Sequence, residues 1–145
     1  MKISNLTILS TMAAFSAVLL ILALSAPLGF ADGYHFLSFF CHQIEDRSFQ
    51  TAGHAWGLCA RCIGIYGGVF LLYLVLITND RHQLYQQVFY LSLASLAILL
   101  VEKAFYIAAG MDTGNITRTL IGMGLGMSFA GSLYWLLQKD AHAAQ

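Results

Sequence analysis

The sequence predicts an all-α membrane protein with four transmembrane helices and a short interfacial or re-entrant segment in its first long loop. Hydrophobic residues make up 59% of the 145 residues and charged residues only 10%, whereas a soluble domain is about a quarter charged. Mean hydropathy is +0.71. Four apolar runs each approach the roughly 20 residues that cross a bilayer at about 1.5 Å per residue. Backbone groups in lipid must bond within their own segment, so these runs are helices, too long for barrel strands. Buried helices of a soluble protein would not explain so few charges. One integral domain, 1–145, follows from the length and from a single proline with no low-complexity linker.

The first span is 3–31, with Lys2 before it and Asp32 after it. Lys2, the apolar core and Gly29-Phe30-Ala31 also resemble a cleavable secretory signal. The core is longer than a usual signal core, and Pro27 sits beside the would-be cut, which favours a retained helix. Tyr34 to Phe40 is aromatic but too short to cross, and reads as the headgroup-level segment. The second span, 60–79, stops at Asp80-Arg81-His82; the third, 83–110, carries Glu102 and Lys103; the fourth, 117–138, ends at Lys139-Asp140.

Zero net charge gives no electrostatic case for nucleic acid, so the expected surroundings are the lipid bilayer. Under the positive-inside rule Lys2, Arg81 and Lys139 tie with Arg47, Arg61 and Arg118. The signal-like start favours a cytoplasmic amino terminus in the inner (plasma) membrane of a prokaryote, with the cysteine loop on the periplasmic or outer side. Antiparallel spans then gather Cys41, His42, Arg47, His54, Cys59, Arg61, Cys62, Asp112, Asn115 and Arg118 on one face.

Within a span, an ionised side chain costs at least about 2.5–3.5 kcal/mol, so Glu102 is expected to face inward towards a counter-charge: Arg61, Lys103 or Arg118. Glu102, Arg61 and Arg118 are the candidate catalytic residues, with a structural ion pair as the alternative for Glu102. Gly122 and Gly126 form a small-xxx-small pair, and Gly64, Gly67 and Gly68 a second stripe. Both predict close helix packing, within the chain or in a homo-oligomer. Met123 and Met127, one turn apart, read as packing residues rather than copper(I) ligands.

The chemistry concentrates in "FFCHQIEDRSFQTAGHAWGLCARCIGIYGG", from Phe39. A Cys-x-x-Cys pair at a turn entering a helix can place two sulfurs on one cation, and zinc takes four ligands tetrahedrally. Cys41, Cys59 and Cys62 with His42 or His54 would complete a Cys3His site for zinc or another soft transition metal. Three cysteines lean towards a structural ion. The same atoms support a membrane thiol–disulfide oxidoreductase, with Arg61 and the helix start activating Cys59 or Cys62. A third reading is a small metal carrier using Glu102 and Met123. Arg47, Asn115 and Arg118 are candidates for binding an anion such as a lipid head. The sequence assigns no reaction.

The Cys-His-Gln at Cys41, Arg47-Ser48-Phe49, Gly53-His54 and "CARCIGIYGG" resemble an uncharacterised family of small prokaryotic multi-pass membrane proteins, a domain of unknown function. Its signature is Cys-His-Gln followed by Cys-Ala-Arg-Cys-Thr-Gly-Ile-Tyr. "GNITRTLIGMGLG" is similar to the family's Asn-x-x-Arg-x-x-x-Gly stretch through Asn115, Arg118 and Gly122. The resemblance runs from Phe39 to Gly126, with Ile63 where threonine is usual and Glu45 where proline is common. It implies the multi-pass architecture and marks Gln43, Arg47, His54, Arg61, Tyr66, Asn115 and Arg118 as motif positions.

Overall fold

A computed structural model describes residues 3–29, 31–78, 83–110 and 113–143. Lys2, Phe30, Asp80, Arg81, His82 and Asp112, used above for sidedness or the signal-like pattern, lie outside them. The described chain is mostly helical. Helix α1 (Ile3–Ser25) gives way to a 3-10 turn over Ala26–Leu28. Pro27 cannot donate a backbone hydrogen bond, and Gly29 closes the turn at φ 112°. The first apolar run is therefore helix and turn rather than one unbroken helix. The short α2 (Ala31–Leu37) follows, then a hairpin of β1 (Gln50–Thr51) and β2 (His54–Ala55), and helices α3 (Ala60–Thr78), α4 (Gln83–Ala109) and α5 (Asn115–Ala143).

Among the described residues, Ser10–Leu28 and Asn115–Leu136 are long and apolar enough to cross a membrane, and Ala60–Leu76 is a shorter apolar stretch. The helices are apolar all round rather than on one stripe. Phe15, Val18 and Ile21 of α1, Ile98, Leu100 and Phe105 of α4, and Leu120 and Phe129 of α5 are exposed, an outer surface suited to hydrocarbon.

α3 and α5 form the centre, running parallel with backbones in close approach. A β-carbon at Gly64 would lie 2.1 Å from the Thr119 carbonyl oxygen, and one at Gly68 2.2 Å from that of Met123. From the other side, a β-carbon at Gly122 would lie 2.3 Å from Arg61 O and one at Gly126 2.0 Å from Ile65 O. Only glycine fits these four places, where Cα groups abut carbonyls. The two glycine stripes thus face each other inside one chain, and association between copies would need another surface. Gly67 has open space, and Gly124 instead admits Ser95 of α4. Val69, Leu72, Leu76, Ala130 and Tyr134 continue this core, while α1 packs on α3 through Leu19 and Ala23 around Leu37, Cys41 and Leu58.

Candidate metal centre

The centre is assembled where α3 begins. Cys59 immediately precedes the helix, and its carbonyl accepts the Ile63 N–H at 3.0 Å, the geometry of an N-cap. Cys62 is one turn in, so both sulfurs project from the positive end of the helix dipole. Their Sγ atoms are 3.4 Å apart. Cys41 arrives from the end of α2, where its N–H bonds the Leu37 carbonyl at 3.0 Å. The three sulfurs lie within 4.8 Å of one another, close enough to hold a metal ion.

Backbone donors are already turned towards this sulfur. Cys41 Sγ accepts the Cys59 N–H at 3.3 Å and the Gln43 N–H at 3.5 Å. Hydrogen bonds from the Cys59 and Cys62 thiols, then these amides, outweigh burial and hold the Cys41 thiol far below the ordinary thiol range. A thiolate is the metal-binding and nucleophilic form of cysteine.

Gln43 shapes the approach. Its φ of 49° is left-handed, uncommon for a residue with a β-carbon. The cost is offset by its carboxamide, whose Nε2 donates to Tyr34 O at 2.7 Å and Gly57 O at 2.9 Å. Gly57 N in turn donates to Ala23 O at 3.2 Å, and a β-carbon there would meet Leu37 Cδ1 at 2.4 Å. One side chain thus links α2 to the loop entering α3. Tyr34 Oη also donates to the Ala55 carbonyl.

Neither histidine joins the thiol group. His42 is exposed, and His54, also exposed, is carried outward on β2. A two-residue turn, Ala52-Gly53, with φ of 53° and 82°, pairs Thr51 with His54 and directs the latter away. There His54 lines a shallow cavity of about 210 Å³ with Ala26, Pro27, Gly29 and Tyr34.

The charged residues divide into separate groups. Arg61 Nη2 contacts Glu102 Oε1 at 2.9 Å and Oε2 at 2.8 Å, and Thr113 Oγ1 donates to Oε1 at 2.5 Å. Glu102 thus takes Arg61 from among its three candidate counter-charges. Arg118 is buried and Nη1 donates to Asn115 Oδ1 at 3.2 Å, while Asn115 Nδ2 donates to Ser48 O at 3.0 Å. Thr119, absent from the sequence-based candidates, ties α5 to the cysteine turn through Oγ1 and Ala60 O at 3.1 Å. Arg47 lies elsewhere, over the ring of Tyr106.

Residues 41–131 match the profile of a family described as a predicted membrane protein, DUF2085. The chain belongs to the DUF2085 family. The match begins at Cys41 and takes in all three cysteines, Glu102 and both glycine pairs. Two archaeal relatives share shorter segments, both uncharacterized proteins. That of Methanocaldococcus jannaschii is 50% identical over 38 residues, 26% of this chain and 24% of its own length. That of Methanothermobacter thermautotrophicus is 42% identical over 36 residues, 25% of this chain and 32% of its own. The matched segments thus span a third or less of these relatives. No solved structure matches.

Proposed function

We propose that this DUF2085 protein is a four-helix membrane protein that binds a metal ion, zinc by preference, through Cys41, Cys59 and Cys62. α1, α3, α4 and α5 are its spans, and α2 with the hairpin lies at the headgroup level on the outer face of the plasma membrane. The convergence of three sulfurs within 4.8 Å carries the reading. Zinc–sulfur bonds of about 2.3 Å in a tetrahedron set sulfurs about 3.8 Å apart, so only small shifts are needed. Among the described residues no histidine or carboxylate joins the three sulfurs, and a metal held by them alone would keep a coordination position open, the kind that supports Lewis-acid chemistry. Asn115 and Arg118 serve to dock α5 onto the Ser48 loop, and Glu102 serves as counter-charge to Arg61.

Metal analysis of protein purified anaerobically in detergent tests this. About one zinc per chain is expected, lost on replacing Cys41, Cys59 or Cys62 with serine and kept in His42→Ala and His54→Ala. Loss of zinc in either histidine variant would return that histidine to the ligand set. A second reading rests on the 3.4 Å between Cys59 and Cys62 sulfurs, which suits a dithiol that closes reversibly. Metal-free protein with a Cys59–Cys62 disulfide titrating at a defined potential would select it. Three free thiols with no metal would sink both readings. After metal is stripped with an impermeant chelator, reaction of Cys59 with an impermeant maleimide on intact cells is expected, and labelling only after lysis would reverse the orientation.

A further inference from the structure

We propose that Arg47 and Lys103, gathered on the ring of Tyr106, form a binding site for a phosphate group. The Arg47 Cζ lies 5.9 Å and the Lys103 Nζ 5.8 Å from the ring centroid. They come from different parts of the chain, Lys103 from α4 and Arg47 from the 3-10 turn Glu45–Arg47. Among the described residues neither has a carboxylate within ion-pair distance. Glu102, beside Lys103 in sequence, is taken by Arg61 at 2.8 Å, and Glu45 and Asp46 are exposed.

Two like charges around one ring repel, and the effective dielectric near a membrane is low enough for that to matter. The negative face of tyrosine compensates only partly. An anion would compensate fully, and Tyr106 is 43% exposed, so the platform remains open to one. The level is also right. Lys103 lies six residues, about 9 Å, before the end of α4, one turn from Tyr106 on the same helix. A lysine this near a helix end can snorkel to the membrane surface. Arg47 comes from the loop between α2 and β1, and with α4 as a span, the topology proposed above on which this step rests, both charges sit at the level of lipid phosphates. Phosphate oxygens suit a guanidinium and an ammonium together. None of these residues belongs to the thiol centre, so the site stands whether or not metal binds.

The ligand has two sources, an anionic phospholipid head or free phosphate. The test is binding of fluorescent phosphatidic acid and fluorescent phosphatidylcholine to the protein in nonionic detergent. Phosphatidic acid is expected to bind preferentially. Arg47→Gln and Lys103→Gln should each weaken it about fivefold, and the double variant about twentyfold, in line with the usual worth of a cation near anionic lipid. Arg47→Lys and Lys103→Arg keep the charges and should retain the preference, which separates charge from folding. Displacement of the lipid by millimolar inorganic phosphate identifies free phosphate as a competent ligand, and resistance identifies the lipid head. Equal binding of the two lipids by the unmodified protein, or an undiminished preference in the double glutamine variant, overturns the proposal.

Discussion

Replacing Glu102 with alanine is expected to lower the unfolding free energy of the detergent-solubilised protein by about 3 kcal/mol, near the low end for breaking a buried ion pair. The Glu102 side chain is only 8% exposed and accepts from Arg61 and Thr113. Its removal strands a guanidinium whose Nε, among the described residues, is already buried without a hydrogen-bond partner. Arg61 keeps 24% of its side-chain surface exposed, and that hydration limits the penalty. The double variant Arg61→Met, Glu102→Leu removes both charges and should recover most of the loss. Denaturant unfolding in micelles reads both. A single-variant cost under about 1 kcal/mol, or a double-variant cost equal to the sum of the singles, would show that the two side chains are not energetically coupled.

Gly126→Ala is the second large effect. Its β-carbon would sit 2.0 Å from the Ile65 carbonyl oxygen, and both partners are helix backbone that no rotamer change can move. α3 and α5 must separate, at a cost of about 3 kcal/mol, the upper end for overpacking. Gly67→Ala is the matched control in the same helix pair. Nothing lies within 4 Å of its added methyl, so lost backbone entropy alone should make it more stable by about 0.5–1 kcal/mol. Equal thermal stability of Gly126→Ala and Gly67→Ala would contradict the interlocked packing.

That contrast also shows where sequence was enough. Gly64 and Gly68, four apart, share one helix face, whereas Gly67 is turned about 100° from Gly68. The glycine pattern alone counted all three as packing positions, which was right for Gly64 and Gly68 and wrong for Gly67, and it did not say that α3 and α5 would use them on each other. The three cysteines were legible because Cys-x-x-Cys at a helix start has few other uses, and Cys41 follows an aromatic segment suited to the same interface. The histidines were not. His54 is set apart by a hairpin whose Ala52-Gly53 turn is a weak signal beside the Asn-Gly such turns prefer. The choice of Arg61 for Glu102 depends on how α3 is rotated against α4, and Thr113 enters from a loop that no periodicity describes.

Gln43 ties Tyr34 to Gly57 through hydrogen bonds of the chain itself, and this link holds the end of α2, with Cys41, beside the loop that leads to Cys59 and Cys62. A metal captured there would displace protons from the thiols, because the thiolate is the form that ligates. A tightly held metal would also stabilise the folded chain, by about 1.4 kcal/mol for each tenfold excess of free ion over its dissociation constant. On the proposed reading a bound metal would act as a clasp between the end of α2 and the start of α3.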